Sequence, residues 1–141
     1  MVNRLYDALF APLVERTGAF LHLPDGAVIS GMQFHDMIAE LAQGLRAAGV
    51  VKGDRVAVQA AKSPRALAVY AACVSIGAVN LPLNPAYTPA EVDYFIGNAA
   101  PRLFFCDPSA QAASAPIAAQ HGARLETLGG GWGGKPALDR R

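Results

Sequence analysis

"RVAVQAAKSPRALAVYAACVSIGAVNLPL" (residues 55–83) decides the fold. It opens on "RVAVQ", a short run with Val56 and Val58 in a β-favouring setting. Ser63–Pro64 follows, a helix N-cap and a proline at the first helical position. The alanine-rich run to Ile76 reads as a helix, and Gly77 supplies its left-handed stop. "AVNLPL" is then a second apolar strand. Strand, helix and strand at this spacing predict a parallel pair joined by a right-handed crossover. Residues 66–83 form the longest apolar region, but Ser75, Gly77, Asn80 and Pro82 interrupt it. It reads as a buried helix, a turn and a buried strand, and not as a membrane span.

The same alternation continues on either side. Downstream, Thr88 and Glu91 stand at capping-box spacing and open a helix over about 89–98. "RLFFCD" (102–107) is a strand with no polar face, so both of its faces are expected to be covered. Asp107 or Ser109 is expected to cap an alanine-rich helix over 109–121, with Gly122 ending it and "ARLETL" (123–128) as the last strand. Upstream, "AFLHLPDGAVIS" (19–30) reads as a hairpin turning at Asp25–Gly26. Ser30 and Gln33 form another capping box. Met37, Ile38, Leu41, Ala42, Leu45 and Ala48 line one face of the helix it opens, over 32–48, which stops at Gly49. Leu5, Leu9, Leu13 and Val14 predict a short amphipathic helix at the start. The expected fold is α/β, a three-layer sandwich with a mostly parallel sheet and helices on both faces. Strands are expected near 19–23, 27–30, 55–59, 78–82, 102–106 and 123–127, the last four mainly parallel.

The 141 residues are enough for one domain, and 52% apolar against 16% charged residues is the balance of a chain with a core. A net charge of +1, with lysines and arginines scattered, argues against nucleic acid and membrane surfaces as partners. Cys73 and Cys106 lie inside apolar runs without C-x-x-C spacing, which reads as buried free thiols in a reducing, cytoplasmic setting. Asp7 breaks the apolar start, so no signal core is read there.

Three runs carry a resemblance: "GLRAAGVVKGDRVAV" (44–58), "YAACVSIGAVNLPLNPAYTPAEVDYFI" (70–96) and "PRLFFCDPS" (101–109). In order and spacing they resemble the opening of the AMP-forming acyl-CoA synthetases, the acyl-adenylate-forming ligases. The segment from "LPLNPAYTPAEV" to "GARLETLG" is most similar to the malonyl-CoA synthetases among them. The resemblance covers about residues 2–129. It implies residues 1–128 as the incomplete N-terminal part of an AMP-binding domain, and a glycine-rich tail at 129–141, expected to be disordered. It also implies a partial N-terminal subdomain of an acyl-adenylate-forming enzyme as the fold.

For the complete enzyme the resemblance implies a two-step ligase. A small carboxylic acid attacks the α-phosphate of ATP, magnesium accompanying the nucleotide, and the thiol of coenzyme A then displaces AMP. The family's Ser/Thr/Gly phosphate loop, metal-side glutamate, ribose aspartate and catalytic lysine match no residues here. No catalytic, cofactor-binding or metal-ligating residue is therefore assigned. The chain is expected to be inactive alone, to bind no cofactor as a fragment, and to have the remainder of the ligase as its partner. The alternative is a free-standing small α/β binding module without catalysis.

Gly129, Gly134 and Lys135 imitate a phosphate-binding loop, but Pro136 stands where Ser or Thr would hold magnesium, and proline removes a backbone donor. The residues after it are too few for the helix whose N-terminus would hold the anion. The stretch reads as a departure from the family pattern, a truncated or frame-shifted end. Among single residues, His22, His35 and His121 lack metal-ligand spacing, Asp36 and Glu40 read as a solvated helix face, and Ser63, Ser109 and Ser114 have no partnered histidine. Lys62, just before a helix cap, is a candidate contact for a ligand phosphate, and Tyr87 and Tyr94 are expected to pack at the edge of the turn before Thr88.

Overall fold

The computed structural model describes residues 3–129; the tail from 130 onward, with its expected disorder and its glycine–lysine motif, lies outside them. The chain runs α1 (Arg4–Leu9), a 3-10 turn (Ala11–Glu15), the hairpin β1 (Ala19–His22) and β2 (Val28–Ser30), and α2 (Gly31–Ala47). It continues through β3 (Arg55–Gln59), α3 (Pro64–Ile76), β4 (Val79–Pro82) and α4 (Pro89–Ala99). β5 (Leu103–Cys106), a 3-10 turn (Pro108–Ala110), α5 (Gln111–Gln120) and β6 (Arg124–Thr127) follow.

The helix starts are made by side chains the sequence displays. Ser30 Oγ accepts from Gln33 N–H at 3.1 Å, and Gln33 Oε1 returns the bond to Ser30 N–H at 2.8 Å. Thr88 and Glu91 do the same for α4, and Ser63 Oγ accepts from Ala66 N–H for α3. Each cap satisfies donors that a helix start leaves open.

β4, β3, β5 and β6 lie side by side in that order, all parallel, and β1 and β2 form a separate antiparallel pair. The pleat divides the sheet's side chains between two cores. Val56, Val58, Leu103 and Phe105 pack with Phe34, Ile38, Leu45 and Val69 from α2 and α3. Ala57, Phe104 and Cys106 pack with Val92 and Ile96 of α4 and Ile117 and Ala118 of α5. Three layers result, as the alternation of elements predicts.

Two local expectations are corrected. The amphipathic start divides at Phe10, because Pro12 falls in the first turn of the 3-10 segment and cannot donate to a continuing helix. The apolar stripe loses its phase there: Leu13 is buried, but Leu5, Leu9 and Val14 stay 45%, 53% and 49% exposed. Neither Asp107 nor Ser109 caps α5, which starts after a 3-10 turn with Ala110 at its N-cap and no side-chain bond. The Asp107 carboxylate is drawn elsewhere, to the backbone N–H of Ala61.

α4 ends on an alanine in a glycine conformation. Ala100 has φ 47° and ψ 56°, its N–H bonds to Ile96 O at 2.9 Å, and buried Pro101 follows. The Arg55 guanidinium donates to the Ala99 carbonyl at 3.0 Å and holds this end against β3. A side chain in the left-handed region costs about 1 kcal/mol. Ala100→Gly is expected to raise stability by about 0.5–1 kcal/mol in chemical denaturation, with an unchanged denaturant slope; a loss of stability would show that the turn carries no strain.

Candidate functional site: a crevice at the strand ends

The strand order places a winding reversal in the middle of the sheet. From β3 the chain passes through α3 to β4 on one side, then through α4 across to β5 on the other. α3, which follows β3, belongs to one core and α5, which follows β5, to the other, so the chain leaves β3 and β5 on opposite faces. Beyond the carboxyl ends of two such strands a crevice opens, the usual ligand position in open α/β sheets. A cavity of about 180 Å³ lies there, lined by Gln59, Tyr87, Asp107, Ser109, Ser114 and Ile117 among others.

Its walls are held by long-range polar bonds. Gln59, buried at the end of β3, donates from Nε2 to the Asn84 carbonyl at 3.1 Å. Asn84 Oδ1 in turn accepts from Ala86 N–H at 2.9 Å and shapes the turn before α4. Across the crevice, Asp107 Oδ2 accepts from Ala61 N–H at 3.0 Å and ties the loop after β5 to the loop after β3. Tyr87 stacks on Phe95 with ring centroids 5.1 Å apart, at the edge of the turn as expected, whereas Tyr94 meets Phe95 edge-on at 5.5 Å and stays 67% exposed on α4. Burial raises the Cys106 thiol above its ordinary range; the Ser114 hydroxyl bonded to it acts the other way, and the charge of Asp107 adds to the rise. Cys73, wholly enclosed, is pushed up to about 12 by burial. Both thiols are unpaired and buried, as their apolar surroundings in the sequence imply.

Among the residues weighed individually, Ser109 and Ser114 reach the crevice wall. Ser63 is spent on the α3 cap, and Lys62 is exposed outside the lining. Asp36 and Glu40 are exposed on α2. His121 sits at the C-terminal end of α5 as expected, and its Nε2 lies 2.9 Å from Asp93 Oδ1 on α4, joining these two helices away from the crevice. The sequence alone does not mark Gln59 or Asp107 for the site. Their signal was position, each being the first polar residue at the end of an apolar parallel strand.

The lining does not suit the triphosphate or magnesium of the implied cofactor. Among the described residues Asp107 is its one acidic side chain, and no lysine or arginine lines it. Among the described residues no three His, Cys, Asp or Glu side chains gather as metal ligands. No helix among them is long and apolar enough to cross a membrane.

This chain belongs to the AMP-binding enzyme family, which it matches over residues 14–129. Among solved structures it is similar to apo MatB from Rhodopseudomonas palustris, at 43% identity and a TM-score of 0.85 over 92% of this chain and 26% of that one. Among curated proteins it is 37% identical over 73 residues to the acyl-CoA ligase sidI of Aspergillus fumigatus, 52% of this chain and 12% of the relative. It is also 37% identical over 71 residues to the acetyl-coenzyme A synthetase of Pseudoalteromonas atlantica, 50% of this chain and 11% of that protein. The chain thus spans about a quarter or less of the length of these relatives, and its fold is the N-terminal part of an acyl-CoA ligase of the AMP-forming kind.

Asp107→Ala is expected to cost about 1 kcal/mol, a partly exposed charged hydrogen bond, with Asp107→Asn costing less; equal losses would show that the carboxylate's bond to Ala61 contributes nothing. Cys73 sets an alkaline limit. In the unfolded chain its thiol ionises near pH 8.5, while in the folded chain it stays protonated to about 12, so the unfolded state releases its proton first. Stability is expected to be fully present below pH 8.5 and to fall between there and 12. Cys73→Ala lowers stability at neutral pH but flattens that decline, as thermal unfolding from pH 7 to 10.5 is expected to show.

Proposed function

We propose that this chain supplies the opening scaffold of an AMP-forming acyl-CoA ligase that acts on a short dicarboxylic acid, malonate, and that it does no chemistry alone. The complete enzyme would convert ATP, malonate and coenzyme A to malonyl-CoA, AMP and diphosphate. The likeness to MatB carries the reading, with a sequence segment that most resembles the malonyl-CoA synthetases. The other relatives carry different acyl names, so the substrate rests on that one likeness. The chemistry requires oriented donors and a metal at the transferred phosphorus. The sequence offers no hydroxyl-rich loop for them, and the crevice presents a carboxylate where phosphate would need cations. The role left to these residues is structural: a sheet and helices against which the rest of a ligase, carrying the reacting groups, would fold.

The test is ATP–pyrophosphate exchange with malonate. The purified chain is expected to give background only, with or without Lys135→Ala. A fusion of residues 1–128 to the remaining length of MatB is expected to exchange with malonate in preference to acetate. Exchange by the chain alone, abolished by Lys135→Ala, would overturn the scaffold reading and make the glycine-rich tail a phosphate loop. A soluble fusion without exchange would overturn it as well.

A further inference from the structure

The two edges of the four-stranded sheet differ in a way that the ligase reading does not require. In a parallel ladder successive residues turn their backbone groups to opposite sides. On β4, Val79 N–H donates to Asp54 O and Leu83 N–H to Val58 O, each at 2.8 Å, so Asn80 and Pro82 face away from β3. Pro82 has no N–H, which blunts that edge against further pairing. On β6, Arg124 N–H donates to Arg102 O at 3.2 Å and Leu128 N–H to Cys106 O at 2.9 Å. Leu125 and Thr127 therefore turn both N–H and C=O outward, and no strand among the described residues pairs with them.

This open edge is complementary to itself. Arg124 and Glu126 share one face of β6, with Nε and Oε1 2.8 Å apart. Set two copies antiparallel about a two-fold axis at Leu125, normal to the sheet. Each Leu125 then exchanges two backbone bonds with its mate, and each Thr127 N–H meets the carbonyl of Ala123 in the other copy. Every Arg124 lies opposite a Glu126 of the other copy. An axis at Arg124 or at Glu126 would set like charges against each other, so charge selects the register. Both copies keep their helix layers on matching faces, and the outer edges of the joined sheet are the Pro82 edges. Pairing closes at two copies and does not run on into a fibre.

We propose that β6 is a self-pairing edge through which two copies of this chain join into one eight-stranded sheet, parallel within each copy and antiparallel at the seam. Sizing chromatography with light scattering on the full chain is expected to show a concentration-dependent dimer. Glu126→Arg and Arg124→Glu each place like charges across the seam and are expected to weaken the dimer about tenfold or more. Mixed in equal amounts, they are expected to recover it as a heterodimer, and this rescue distinguishes the seam from a folding defect. Leu125→Pro removes the outward N–H, with some loss of packing against the second core, and is expected to give a less stable but folded monomer by thermal unfolding. A wild-type monomer at all concentrations would overturn the proposal. So would a dimer that survives both charge reversals, or one that forms only after residues 130–141 are deleted, since the tail would then be the occupant of this edge.

Discussion

Everything in this molecule is arranged around a strand that has no wet side. Leu103, Phe104, Phe105 and Cys106 are all fully enclosed, two toward each face of the sheet. Such a strand is tenable only between neighbouring strands that take up its backbone groups and helices that cover both faces. β3 and β6 provide the first, α2 and α3 with α4 and α5 the second. The two faces are not equivalent. The first meets the large side chains of α2, while the second meets the smaller surface of an alanine-rich α5.

Covering both faces puts α2 and α3 on one side and α4 and α5 on the other, and that single change of side makes the crevice. Gln59 and Asp107 stand at the ends of two adjacent strands whose following helices diverge to opposite sides. Each is engaged with the neighbouring loop, Gln59 with the carbonyl of Asn84 and Asp107 with the amide of Ala61. The polar groups at this switch point hold the loops in place.

Much of the fold could be read before the structure, because it is encoded locally. Ser30 with Gln33, Thr88 with Glu91 and Ser63 before Pro64 place three helix starts within a few residues, and the absence of any polar residue between Leu103 and Cys106 announces an inner strand. What escaped depends on distant partners. Asp107 looked like a cap, and only the approach of a loop 46 residues away redirects it. Ala100 gives no sign in sequence of its left-handed backbone, which Arg55 and Pro101 hold from outside the helix. The site itself follows from strand order, which periodicity does not reveal. The ligase connection came from matching whole motifs, since no residue of this chain announces that chemistry by its own spacing.

The turns divide the domain into two unlike poles. Where helices hand over to strands, the chain passes through left-handed residues, Gly49, Gly53, Gly77, Ala100 and Gly122. Gly53 N–H even bonds to the Gly77 carbonyl at 2.9 Å and links two of these turns. Each is a narrow stereochemical gate, and an inserted residue there would rotate the following strand out of register. Where β3 and β4 hand over to helices, the loops are closed by ordinary side-chain caps, and after β5 a 3-10 turn takes their place. Insertions are therefore better accommodated at the other end of the sheet. A scaffold built this way can acquire different surfaces at its crevice while its opposite pole keeps the fold the same, a division of labour between inheritance and novelty written in backbone handedness.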